Sequence, residues 1–345
     1  MNFQKMIQEN RWTAFMLFFV VVLYSILFIT GVVSKKAVAP HQASSKLTAV
    51  ELKQKEDSVK QKLAEHPAFT GALSLAFISV LLFGIGRDVW LLNKMRQGRS
   101  WIEDPLPFGA VNWGMKEVFQ VAVFLFFTEG CLFIFQAVLS HVLGIKFSED
   151  ILLLLYSFIR DVSVTIFILF LVRRVQNDSF SSLGLSVKRF FSFVKVGLLA
   201  YVAVLPVLVL VFTALATLAH VFSYEPAPQN VVQIYLKKSS EPILFVMTLF
   251  VAALGPVFEE IFFRGFTYPA LRKRWGVRWA AVAVAGAFAA IHMNAIAFLP
   301  IFMLGIFLSY LYESTGSLVP SITAHVLHNT LMVFVTLGFR TLAAG

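Results

Sequence analysis

Apolar residues in this chain do not alternate with polar ones. They run in long blocks broken by short basic or mixed stretches. A helix needs about 20 apolar residues to cross a hydrocarbon core about 30 Å thick. Blocks of that kind fall at 12–33, 69–92, 118–143, 151–172, 194–219, 243–271, 279–293, 296–312 and 318–338. The pair 279–293 and 296–312, parted by His292, Met293 and Asn294, reads either as two short spans or as one broken span. The pattern predicts an all-α fold, a polytopic membrane bundle of eight or nine transmembrane helices. Only 34–68 reads as a sizeable water-soluble piece. There Leu47, Val50, Val59 and Leu63 fall near helical spacing among charges, which predicts a solvated helical extension of the first hairpin.

Composition narrows the class. The 345 residues are 58% hydrophobic and 14% charged, with a mean hydropathy of +0.79. Soluble domains carry roughly 25% charged residues. The deficit excludes a soluble globular protein, a disordered chain and a disulfide scaffold. The 37 Phe suit a surface facing acyl chains. The single cysteine, Cys131, permits no intrachain disulfide and reads as a small buried hydrophobe. The first block exceeds the apolar core of a signal peptide and lacks a small-residue cleavage site, so it reads as a retained first span.

Charge sets the orientation. Basic residues crowd the short loops, as at Arg87, Lys94, Arg96 and Arg99, at Arg173 and Arg174, and at Arg272, Lys273 and Arg274. A cytoplasmic N-terminus puts all of these inside, as the positive-inside rule requires. Seven lysines between 35 and 62 fall outside, accompanied by Glu51, Glu56, Asp57 and Glu65. The basic loops, and the net charge of +10, belong beside an anionic leaflet and give no reason to expect nucleic acid.

Ionisable residues inside a bilayer are costly, roughly 2.5 kcal/mol or more each at the centre, and are functional candidates by default. They concentrate near the C-terminus. One block carries Glu259, Glu260 and Arg264, the next ends Phe288 to His292, and the last carries His325, His328 and Asn329. Glu260 and Arg264 are four apart, so they share a helix face and can pair. Glu259 points about 100° away, towards separate surroundings. His325 and Asn329 share a face, while His328 turns aside as a packing or hydrogen-bonded histidine. At about 1.5 Å per residue, Glu259 and His292 lie about 20 Å from the basic loop, Asn329 about 16 Å and His325 about 10 Å from the start of the last span. The small residues between Ala280 and Ala290 let that helix approach its neighbours closely. Pro256 removes a backbone hydrogen bond just before the glutamates and predicts a kink. A carboxylate and a neutral imidazole can take a proton from an attacking water. A second imidazole and an amide N–H can stabilise the oxyanion that forms. Glu129 and the adjacent Arg160 and Asp161 are the other mid-span charges. They read as structural, with Arg160 and Asp161 each pairing to another helix.

The three motifs resemble those of the CAAX protease and bacteriocin-processing family of glutamic intramembrane proteases. The family's EExxxR is similar to Glu259-Glu260-Ile-Phe-Phe-Arg264, its FxxxH to Phe288 through His292, and its HxxxN to His325 through Asn329. The resemblance covers about residues 180–338, opening at Leu183-Gly184-Leu185. It implies that Glu259 and His292 activate the water, that His325 and Asn329 form the oxyanion hole, and that Glu260, Arg264 and Phe288 support the site. It implies a CAAX-type endopeptidase without a cofactor, in the bacterial plasma membrane. The site would open to the cytoplasm, towards a membrane-embedded or lipidated protein or peptide substrate. The domains expected are an N-terminal hairpin with a charged extracytoplasmic loop (1–100), accessory spans (101–180) and a CAAX protease-like catalytic domain (181–345). Two other readings use the same residues. One is a non-catalytic immunity or scaffold protein of the same fold. The other is a zinc protease with Glu259, His292 and His325 as ligands, although the chain has no HExxH helix motif.

Overall fold

The computed structural model describes residues 11–29, 49–97, 102, 105–106, 109–145, 147–224, 230–236 and 241–344. Residues 30–48, with the end of the first expected span, Leu47 and part of the lysine-rich loop, lie outside the described residues, as does the side chain of Val50. Among the described residues the chain is helical and has no strand. In chain order the helices are α1 (Arg11–Ile29), α2 (Ala49–Glu65), α3 (Pro67–Arg96), α4 (Met115–Ala137), α5 (Glu149–Phe170) and α6 (Phe190–Val221). They continue as α7 (Asn230–Leu236), α8 (Glu241–Leu249), α9 (Gly255–Glu260), α10 (Tyr268–Ala290), α11 (Ala295–Thr315) and α12 (Leu318–Ala344).

Seven helical runs among the described residues are long and apolar enough to cross a membrane, and Trp12–Leu27 is a shorter apolar one. The protein is an integral membrane protein with a polytopic helical bundle. The expected spans 243–271 and 279–293 lie in one continuous stretch of 50 residues, Glu241–Ala290, and are separate helices that part at Gly276. A straight helix of that length would measure about 75 Å, far more than one bilayer core. The run breaks its direction at Gly276, which sits at φ 74° and ψ 174°. A side chain there would be strained, so glycine supplies the turn. The 279–312 stretch is two helices rather than one broken one, because residues 291–294 leave helical geometry and Asn294 caps α11 by accepting from Ala297 N.

The chain divides into two compact units. The first comprises Met1–Lys46, Val111–Ser179 and Ser239–Phe250. In it α1 packs on α4 and α4 on α5, through aromatic pairs such as Phe19 with Phe127 (4.9 Å between centroids) and Phe124 with Phe167 (4.3 Å). Arg160 on α5 donates from Nε to Asp161 Oδ1 at 2.8 Å and from Nη1 to Glu129 Oε1 on α4 at 3.3 Å. Arg160 thus reaches another helix, as expected, and also pairs with its own neighbour Asp161, which was not expected. The guanidinium stem is long enough to fold back on its neighbour while its other nitrogens reach α4. Cys131 on α4 is exposed, not buried as expected, and Phe133 and Phe135 of the same helix are exposed too.

The second unit comprises Leu47–Ala110, Phe180–Lys238 and Val251–Gly345. Its core joins Tyr201, Leu205 and Leu208 of α6 to Leu304, Leu308 and Leu311 of α11 and Ala324 of α12. α3 packs on α6, α6 on α12, and α10 along α11. The α10–α11 contact is close because Gly305 has no side chain. A Cβ there would stand 2.9 Å from the Ala285 Cβ, which bears out the small-residue reading of α10. The charged α2 lays one face on α12, and only the break at His66 separates it from α3. Many large apolar side chains of both units point outward, Phe77, Phe83, Phe126, Phe212 and Phe334 among them. In water such a surface would aggregate; it is what a helix bundle presents to acyl chains.

Candidate active site

α9 is only six residues long and lies between two π turns, Phe250–Leu254 and Ile261–Thr267. π turns are rare and occur mostly as local widenings of α-helices, frequently at functional sites. The first has a visible cause. Counting five residues on from the Val251 carbonyl, as a π turn does, reaches Pro256, which has no N–H. The carbonyl is satisfied instead from another helix: Asn329 Nδ2 on α12 donates to it at 2.9 Å. Pro256 therefore acts as expected in withdrawing a backbone bond, but the result is a widened turn at the head of α9.

The two glutamates that follow have different surroundings. Glu260 is fully buried, and so is its partner Arg264, whose Nη1 donates to Glu260 Oε1 at 2.7 Å. Arg264 Nη2 donates to the Gly305 carbonyl at 3.1 Å, and its guanidinium carbon stands 4.6 Å from the Phe288 ring centroid. Glu259, one position earlier, keeps 29% of its side chain exposed. His325 lies between them. Its Nδ1 is 2.9 Å from Glu260 Oε1 and its Nε2 is 3.6 Å from Glu259 Oε2. The chain of contacts runs Arg264, Glu260, His325, Glu259, with only the last open.

Phe288 is the post around which this is built. Its ring meets His292 edge-on at 5.0 Å, His325 at 5.5 Å and Phe263 at 5.3 Å. His292 is half-buried, and its Nδ1 donates to the Phe288 carbonyl at 2.7 Å, which leaves Nε2 as the acceptor. The structure thus brings Glu259, Glu260, Arg264, Phe288, His292 and His325 to one place and sets Asn329 against the Val251 carbonyl, in the turn before α9. His325, not His292, makes the direct contact to Glu259. Among the described residues no three His, Cys, Asp or Glu side chains gather as a metal-binding group. His328 is hydrogen-bonded, as expected: its Nδ1 lies 3.2 Å from the Tyr201 hydroxyl on α6.

Some supporting residues carried no signal of their own in the sequence. Gly305 receives Arg264 through a carbonyl, and every residue has one. Glu313 on α11 accepts from Arg272 at 2.8 Å and from the Tyr268 hydroxyl at 3.0 Å, fixing the end of the run that carries the glutamates. It is the only acidic residue after Glu260, and that was the available clue.

Residues 241–331 match the family model described as type II CAAX prenyl endopeptidase, Rce1-like. The matched segment contains all three motifs. The segment is similar to that family of CAAX proteases, and the chain around it carries the apolar helices of a membrane protein. Among curated proteins and solved structures nothing matches the chain.

Proposed function

We propose that the protein is a glutamic intramembrane endopeptidase that hydrolyses a peptide bond in a membrane-embedded or lipidated protein or peptide. The observation that carries this is the buried sequence of contacts from Arg264 through Glu260 and His325 to the part-exposed Glu259, inside the segment that matches a prenyl endopeptidase family. Glu259 and His292 take the proton of a water as it attacks the carbonyl carbon. Such positioned acid–base groups contribute typically 10²–10⁴-fold. His325 and Asn329 face the oxyanion. Asn329 has a second amide hydrogen for this, beyond the one given to Val251. Glu260, Arg264 and Phe288 hold the imidazole and the carboxylate in place. No metal takes part. The site opens towards the cytoplasmic face of a bacterial plasma membrane, with the N-terminus on that side, and the basic short loops support this orientation.

The test is cleavage of a prenylated C-terminal peptide by the full chain in proteoliposomes, with wild type and Glu259→Gln compared, each with and without a chelator. Cleavage that disappears in Glu259→Gln, with an unchanged thermal melt, and that ignores the chelator supports the proposal. Cleavage lost to the chelator and restored by zinc refutes its metal-free chemistry. Full activity in Glu259→Gln refutes the assigned base.

A further inference from the structure

We infer that His325 is a proton carrier, taking from Glu259 the proton removed from water and delivering it to the leaving amine nitrogen. This rests on the peptidase reading above and deepens it. The argument starts from the two ends of the ring. Nδ1 faces Glu260 Oε1, the same oxygen that Arg264 Nη1 holds. An oxygen of a carboxylate paired to a guanidinium only accepts, so Nδ1 carries the hydrogen. In the neutral ring Nε2 is then a bare acceptor. A bare acceptor gives nothing to an oxyanion; it must first receive a proton. The group facing Nε2 is Glu259, 3.6 Å away.

The surroundings keep this exchange local. The imidazole is 2% exposed, so bulk water has little access to it. Phe288 stands edge-on at 85° to the ring, and the Glu260 contact pins the other nitrogen, so the ring cannot rotate freely. Once protonated at Nε2, the imidazolium rests against Glu260, which Arg264 holds in turn. Glu259 gives the series its open face, and Nε2 of His325 lies 3.6 Å from its Oε2, so water meets Glu259 and the scissile nitrogen meets Nε2 at that edge.

The step balances as follows. The water oxygen bonds to the carbonyl carbon while one of its protons moves to Glu259, and the carbonyl pair goes to oxygen. Glu259 passes that proton to Nε2 of His325. The oxyanion pair re-forms the carbonyl, the C–N bond breaks with its electrons on nitrogen, and nitrogen takes the proton from Nε2. A carboxylic acid and an amine leave, and Glu259 and His325 return to their starting forms.

An amine must be protonated to leave, whereas an ester oxygen leaves far more readily without help. The experiment uses the full chain in proteoliposomes, a farnesylated C-terminal peptide, and its analogue with an ester at the scissile bond. His325→Gln is expected to slow peptide cleavage by roughly 10²–10³-fold and ester cleavage by less than about tenfold. Equal losses on both substrates would overturn the proton-carrier role and leave His325 only the oxyanion role proposed above, with the peptidase reading intact. Wild type that cleaves neither substrate would overturn the peptidase reading and this inference with it. If His325→Gln does not fold, as judged by its melt in detergent, wild type alone decides. Its solvent deuterium effect should be larger on the peptide than on the ester, and equal effects would overturn the inference.

Discussion

Each of the two units holds an arginine between acidic or polar partners inside an apolar helix, and the two arginines are used differently. Arg264 is wholly enclosed. It holds a buried carboxylate, a backbone carbonyl and the face of Phe288. Arg160 is about a third exposed, beside a similarly exposed Glu129, and it bridges α4 and α5 by donating to Asp161 and to Glu129. In sequence both are an Arg and a Glu set in hydrophobic surroundings. What separates them is enclosure. A buried charge pair is costly to desolvate and unforgiving to break, whereas polar contacts between membrane helices contribute on average only about 0.6 kcal/mol. A fold that keeps the first kind needs a reason beyond helix association, and the histidine against Glu260 supplies one.

The contrast can be broken by substitution. Arg264→Ala leaves Glu260 buried without its cation and is expected to cost about 3–5 kcal/mol, seen as a large fall in the melting temperature in detergent. Replacing both partners, Glu260→Leu with Arg264→Leu, should recover most of that stability while peptide cleavage stays absent. A double variant as unstable as Arg264→Ala would mean that the pair acts mainly as structural glue. Phe288→Ala removes the post shared by the two imidazoles and Arg264. It should cost about 3 kcal/mol, with activity lost even at temperatures where the protein remains folded. Asn329→Ala orphans the Val251 carbonyl and should cost about 1–2 kcal/mol, measured by the same melt. Arg160→Met should be the mildest, near 0.6 kcal/mol, with unchanged cleavage. A loss of activity there would give the first unit a part in the reaction.

The sequence made some of this legible and hid the rest, for physical reasons. Glu260 with Arg264 is an i, i+4 pair on one helix, and helical geometry alone predicts it. The close approach of α10 to α11 was readable in the run of alanines, though the glycine that completes it sits on the other helix. The Glu260–His325 contact joins residues 65 apart, and no local period encodes that. It follows from how α12 settles beside α9, which the motif order suggests but does not dictate. The separation of 243–271 from 279–293 was readable in the hydrophobic pattern, and Gly276, whose dihedral angles leave the helix, is where the chain turns between them. The π turns left no trace except Pro256, whose missing N–H reads equally well as an ordinary kink.

The widened turn at Phe250–Leu254 has a consequence at the level of the gene. A ring closed five residues on holds one residue more than the α ring closed four residues on, so the turn amounts to a built-in insertion. Closing the wide turn to an α turn takes up one residue, so losing a single codon there, that of Ala252 or Ala253, leaves Glu259 and Glu260 nearly in register with the helix before them. The same loss inside a regular α-helix turns everything beyond it by about 100° and shifts it by about 1.5 Å. A one-codon deletion scan should therefore find 250–254 more tolerant than the α-helical stretches of α8 and α10 on either side.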